Sequence, residues 1–271
     1  MTAVHPLPGP ALLFCPGDRP DRYGKAAAAA DAVILDLEDA VAPLDKPAAR
    51  QALVAAAPDP ARTLVRINQV GGEHWRADLD AVARTAIRLV VVAKASSAQD
   101  LSAVLDAVPD ARVLALCETA RGVLAAPELA AHPAVAGLMW GAEDLVASLG
   151  GTSSRRPDGG YRDVARAARS QVLLAAGAYG KIAVDAVHLD IADLDGLAAE
   201  AEDAAASGFS ATACIHPTQV AAIRAAYRPS AERVEWARAV LAAAEGAPGV
   251  FRFRGQMIDE PVLAQARGLL G

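Results

Sequence analysis

Cysteine, positive charge and long uncharged stretches are all in short supply in these 271 residues. Only three cysteines occur, Cys15, Cys117 and Cys214, far apart and each inside an apolar run. That odd set, with no CxxC spacing, excludes a disulfide framework or a cysteine zinc cluster and reads as reduced core thiols of a cytosolic protein. A net charge of −6 argues against broad binding to nucleic acid or an anionic membrane, so an anionic ligand needs a local basic patch. No uncharged run approaches the roughly 18 residues of a membrane span. The opening MTAVHPLPGP has no charged region leading into an apolar one, so no signal peptide is expected. His5 in that stretch and His132 each precede a proline in an expected loop and carry no signal. No Gly/Ser linker divides the chain.

What the chain has is a beat. Apolar runs recur at 11–15, 32–37, 63–67, 87–93, 112–117, 135–140, 181–187 and 211–215, separated by amphipathic, alanine-rich segments long enough to be helices. Strands alternating with helices imply a parallel sheet, and eight repeats imply closure into a TIM-type (β/α)8 barrel. An open doubly wound sheet is the alternative, weakened because no GxGxxG follows an early strand. The expected barrel covers 1–228. Residues 229–271 then give a helix, a short extended piece, a turn and a last helix, a C-terminal helical extension and lid within the same structural domain.

Charges gather where the runs end. Asp36, Glu38 and Asp39 close the second run, Arg66 and Asn68 the third, Lys94 the fourth and Glu118 the fifth. Asp144 follows the sixth, Asp185 and His188 mark the seventh, and His216 the eighth. In a barrel the C-terminal strand ends share one face, so these scattered positions converge. Glu118 and Asp144 stand one strand-helix-strand unit apart, which delivers two carboxylates to one rim. Two readings stand: a hard divalent cation such as Mg2+ bridging them, or ordinary exposed acids at a helix start.

Other candidates read both ways too. Arg19, Arg22 and Lys25 follow the first strand at steps of three, which suits either an anion clamp or a solvated basic face. The unpaired N–H groups of Ala142, Glu143 and Asp144 open a helix and could receive a carboxylate. Arg155 and Arg156, in the turn-rich stretch 150–160, read either as ligand contacts or, the better reading, as residues that keep the loop soluble. His188 and His216 read as either hydrogen-bonded structural residues or bases. Asp259 stands on a turn between Gly255 and Pro261, as a lid residue or, better from spacing alone, a helix N-cap.

Taken together, the segments PGDRPDRYGKA, ADAVILDLEDAV, KPAAR, VRIN, ETARG, WGAEDL, IHPTQV, YRPS and GQMIDEP run through nearly the whole chain. In these the sequence resembles the citrate lyase β-subunit-like branch of the HpcH/HpaI aldolase superfamily, which also includes malyl-CoA and citramalyl-CoA lyases. The resemblance implies a barrel that forms homotrimers, and a magnesium ion held by Glu118 and Asp144. It implies Arg66 on the oxygens of a 2-keto acid, with Asp36, Glu38 and Asp39 supporting the metal waters and Glu38 foremost among them in the reaction. It further implies Arg19, Arg22 and Lys25 on coenzyme A phosphates, and Asp259 as an acid/base supplied by a neighbouring subunit. Lys94 and His216 are expected behind these groups. The implied reaction is cleavage of a β-hydroxyacyl-CoA into an acyl-CoA and a 2-keto acid. Alternatives are a thioesterase on the same site and a subunit of a citrate lyase complex. One departure is visible: relatives read LPKAES where this chain reads VAKASS, which keeps Lys94 but puts Ser96 where an acid stands.

Overall fold

The eight apolar runs become eight parallel strands of one closed barrel: β1 (Ala11–Pro16), β2 (Ala32–Asp36), β3 (Thr63–Ile67), β4 (Leu89–Val92), β5 (Arg112–Cys117), β6 (Val135–Trp140), β7 (Ile182–Asp185) and β8 (Ala211–Cys214). Closure is made by β1 against β8, with Ala11, Leu12 and Leu13 opposite Thr212, Ala213 and Cys214. The computed structural model describes residues 7–247 and 249–270, so the opening segment with His5 lies outside the described residues. Helices α1 (Pro20–Ala29), α2 (Lys46–Ala56), α3 (Trp75–Ala83), α4 (Ala98–Ala107), α5 (Ala120–Leu124), α6 (Ala126–Ala131), α7 (Ala142–Ser148), α8 (Asp163–Ala178), α9 (Leu194–Ser207) and α10 (Gln219–Ala226) connect the strands or follow the last.

The barrel is filled, not hollow. Leu12, Ile34, Leu64, Val91, Leu114, Leu116, Met139 and Val184 are fully or nearly fully buried in one cluster, and each such side chain contributes about 1.5–3 kcal/mol by leaving water. Local chemistry sets the helix ends. Ser97 accepts from the Asp100 N–H while Asp100 answers in a capping box before α4, and Gly208, at φ 108°, stops α9 in the left-handed region. The runs at 87–93 and 181–187 yield shorter strands than their apolar length suggests. The chain leaves the β4 ladder after Val92, because Lys94 turns to φ 53°. After β7, the Asp185 carboxylate takes the Ala186 N–H.

Contacts within the chain divide it into two compact units, 1–225 and 226–271. The second holds α11 (Ala231–Ala244), an antiparallel hairpin of β9 (Phe251–Phe253) and β10 (Gln256–Ile258), and α12 (Glu260–Leu270). The hairpin turns on Arg254 and Gly255, both at positive φ, the geometry that matches the twist of its strands. Ala237, Val240, Ile258 and Ala266 form its own small core, flanked by Trp236, Phe251 and Phe253. No helix among the described residues is long and apolar enough to cross a membrane.

Candidate active site

The site begins in the register of β2 against β3. Asp36 and Arg66 are direct cross-strand partners, and the guanidinium donates twice to the carboxylate, Nε to Oδ1 at 2.7 Å and Nη2 to Oδ2 at 2.5 Å. Asp36 also accepts the N–H groups of Glu38 and Ala40, at 2.9 and 3.0 Å. One buried carboxylate thereby orients the arginine and folds the loop that carries Glu38. Glu38 returns Oε2 to within 3.2 Å of Arg66 Nη1, and the guanidinium lies 4.9 Å above the Phe14 ring. Burial opposes the Arg66 charge, but Asp36 and then Glu38 more than offset it and hold its pKa well above the ordinary arginine value.

Glu118 follows β5, is only 2 % exposed, and takes the Lys94 N–H on Oε1 at 3.0 Å. Asp144 comes from the first turn of α7 and is partly exposed. Between the acids stands the Lys94 ammonium. It contacts Glu38 Oε1 directly, lies 3.1 Å from Asp39 Oδ2 and 3.2 Å from Asp144 Oδ1, and reaches 3.9 Å from Glu118 Oε1. Burial first, and Asp144 second, push the Glu118 carboxyl up to about 8. Burial likewise raises Glu38 against the pull of Arg66 and Lys94. For Asp39 the burial penalty is outweighed by its bond to Lys94, and its pKa falls.

This donor set fits magnesium. Glu118 and Asp144 present hard carboxylate oxygens around a point already approached by a cation, and Glu118 lacks enough positive charge to ionise at its usual pH. Among the described residues no three or more His, Cys, Asp or Glu side chains are arranged to cage a metal. A divalent ion held by two carboxylates draws its remaining ligands from water and substrate, as Mg2+ ordinarily does.

The remaining candidates divide. Ala142 and Glu143 open α7, whose N-cap Gly141 makes no side-chain cap, while the Glu143 carboxylate accepts from Ser154 Oγ at 2.5 Å. Arg19 is held by Asp21, with Nε and Nη2 each 2.9 Å from a carboxylate oxygen. Arg22 and Lys25 are exposed along α1. His216 contacts Thr218 at 2.8 Å through Nδ1, and its backbone N–H donates to Oε1 of the buried Gln219. Asp259 lies in the second unit, where Oδ1 accepts the Val262 N–H at 3.4 Å in the first turn of α12.

Asp185 and His188 belong to a separate network. Asp185 binds Trp140 Nε1 at 2.5 Å and Arg169, and His188 Nδ1 lies 2.9 Å from Glu200 Oε2. Arg155 does more than solubilise its loop: it pairs with Glu200 and stacks 4.1 Å from the Tyr161 ring, because the loop folds back through an Arg155–Tyr161 bridge. Residues that sequence reasoning passed over are Phe14, Gly141, Ser154 and Gln219. Only Gly141 left a signal, as the sole residue between Trp140 and the helix start.

Residues 11–217 match the model of the HpcH/HpaI aldolase/citrate lyase family. A citrate lyase subunit beta-like protein of Mycobacterium tuberculosis is 57% identical over 262 residues, covering 97% of this chain and 94% of that protein. A (3S)-malyl-CoA thioesterase of Cereibacter sphaeroides is 38% identical over 268 residues, covering 96% and 92%. The crystal structure of M. tuberculosis CitE in complex with magnesium, acetoacetate and coenzyme A is similar at a TM-score of 0.93, with 57% identity and 97% of each chain covered.

Proposed function

The chain belongs to the HpcH/HpaI aldolase/citrate lyase family, and from that premise we propose that it is a magnesium-dependent lyase. It cleaves a β-hydroxyacyl-CoA of the malyl, methylmalyl, citramalyl or citryl type into an acyl-CoA and a 2-keto acid. The observation that carries this reading is the convergence of Glu38, Glu118 and Asp144 on one cationic point at the strand ends, beside an arginine fixed by Asp36. Magnesium and coenzyme A in the M. tuberculosis CitE complex support it.

In this reading Glu118 and Asp144 hold the magnesium ion. When bound, it supplies Lewis-acid stabilisation of the oxygen whose charge changes as the carbon-carbon bond breaks. Arg66 places a fixed positive charge against the keto-acid oxygens, and because Asp36 has already oriented it, little reorganisation accompanies the reaction. The N–H groups of Ala142 and Glu143 receive the substrate carboxylate. Arg19, Arg22 and Lys25 bind the coenzyme A phosphates, with Arg19 exchanging Asp21 for phosphate. As the carbon-carbon bond breaks, the substrate hydroxyl becomes the keto-acid carbonyl and gives up its proton, and the thioester enolate left behind gains one at carbon. Asp259, from the C-terminal segment of a neighbouring copy in a homotrimer, takes the first proton and returns it to the enolate. Glu38 and Asp39 order water near the ion, and His216 supports the rim from β8. Three buried, unpaired thiols support a reducing, cytoplasmic setting.

The malyl-CoA thioesterase relative favours a second reading, hydrolysis of the thioester at the same site. A third role, as the β subunit of a citrate lyase complex on carrier-bound citryl groups, predicts no activity of the isolated chain on free CoA thioesters. One assay separates them. The purified chain is given malyl-, β-methylmalyl-, citramalyl- and citryl-CoA with Mg2+, and acyl-CoA, keto acid and free hydroxy acid are quantified. Acyl-CoA and keto acid in equal amounts are expected. Free hydroxy acid with CoA identifies the thioesterase, and inactivity on all four overturns the stand-alone reading.

A further inference from the structure

Besides Arg66, Lys94 brings positive charge to the acid cluster, and the backbone goes out of its way to place it. Its φ of 53° lies in the left-handed region, where a side chain such as lysine is strained. The strain is held by the Lys94 N–H, which donates to Glu118 Oε1 at 3.0 Å. The side chain then runs to four carboxylates from three different strand ends, Glu38, Asp39, Glu118 and Asp144. It is 20% exposed, so solvent screens it weakly.

Two of those four acids are the ones read above as magnesium ligands, and the inference rests on that reading. A magnesium ion sits about 2.0–2.1 Å from its carboxylate oxygens. The ammonium lies 3.9 and 3.2 Å from Glu118 Oε1 and Asp144 Oδ1, so an ion on both of those oxygens stands within about 5 Å of it. Two cations that close repel each other. We infer that the Lys94 ammonium is a built-in competitor for magnesium: its charge beside Glu118 and Asp144 opposes the ion, and it shifts toward Glu38 and Asp39 when the ion enters. Glu38 and Asp39 are close enough to keep it, since both already contact Nζ. Lys94 is thus a positioning residue whose charge weakens metal affinity.

The test measures Mg2+ binding by isothermal titration calorimetry, and the rise in Tm on adding Mg2+, for the wild-type chain and for K94M, K94G and K94R. K94M removes the charge at similar length. K94G removes the side chain but keeps the N–H to Glu118 and suits the positive φ, so it decides the matter should K94M fail to fold. In K94M and K94G the Kd is expected to tighten by about tenfold or more, as loss of a like charge beside a cation predicts, with a larger Mg2+-induced rise in Tm. K94R keeps the charge and is expected to stay near the wild-type Kd. Unchanged or weaker binding in K94G, with normal binding in the wild type, overturns this inference alone. A wild-type chain that takes up no magnesium overturns the metal reading and this inference with it.

Discussion

Asp36 and Arg66 face each other across the β2–β3 ladder and close a two-point salt bridge with the aspartate 1% exposed. A buried pair of this kind owes its worth less to attraction than to the penalty of leaving one partner alone. Asp36 also holds the Glu38 and Ala40 N–H groups, so its loss frees a loop as well as a charge. The variant D36A is expected to be destabilised by about 3–5 kcal/mol, read as a drop in the urea midpoint with an unchanged m-value. A loss below about 1 kcal/mol, the range of exposed pairs, would show that Glu38 alone suffices to hold the guanidinium.

Arg66 itself makes the converse case. Its charge is pinned in place before substrate arrives, so its contribution falls on charge that develops during cleavage rather than on binding at large. R66A is expected to lower kcat by about 10²- to 10³-fold, the cost of removing one preorganised donor, with a smaller change in KM. Near-normal turnover at saturating substrate would remove Arg66 from the reaction.

Glu118 makes the protein sensitive to pH in a defined direction. Its carboxyl titrates near 8 in the fold against 4.5 ordinarily, mainly through burial and then through Asp144. The folded pKa is raised, so the group's contribution to stability is whole below about 4.5 and is lost as pH rises toward 8, where the fold must bear the charge. Magnesium binds the ionised form, so its uptake releases a proton below pH 8 and tightens with pH until Glu118 is fully ionised. The Mg2+-induced rise in Tm, measured against a chelator control from about pH 5 to 9, is expected to grow toward a plateau above 8. E118Q should abolish that growth. A rise in Tm that is flat with pH in the wild type would place the ion elsewhere.

Much of this was legible in the sequence, and the reasons are specific. The runs 63–67, 112–117 and 135–140 coincide with β3, β5 and β6 because each is a mainly apolar stretch ended by Asn68, by Glu118, or by Gly141 and a helix start. The strand-end rule brought Glu38, Arg66, Lys94, Glu118 and Asp144 to one place because a closed parallel barrel leaves no other. The same rule misleads for Asp185 and His188. It gives height along a strand but not which neighbours wait there, and Arg169 and Glu200 claim them. Composition alone also hid Arg155, since a glycine-rich loop looks solvated until its return path sets a guanidinium against Tyr161. Lys94 was visible, but its role depends on a left-handed turn that no pattern of residue types announces.

Gly141 is the clearest case of a residue present for the space it leaves. A β-carbon there would lie 2.9 Å from Glu118 Oε2 and 3.0 Å from Glu118 Cβ, nearer than real β-carbons approach. The backbone is not the obstacle, because φ −132° and ψ 123° suit any residue. An alanine must therefore act by pushing the Glu118 side chain, which is held on its other oxygen by the Lys94 N–H. G141A is expected to cost about 1–3 kcal/mol in stability, as overpacking does, and to weaken magnesium binding by about 10- to 100-fold, the range seen when a metal ligand loses its orientation. Gly24 in α1 provides the contrast, since a β-carbon there meets nothing within 4 Å. G24A should stabilise by about 0.5–1 kcal/mol, as in a helix interior, with the magnesium Kd unchanged. If calorimetry shows G141A binding magnesium like the wild type, the Glu118 carboxylate has no part in holding the ion, whatever the barrel's likeness to its relatives.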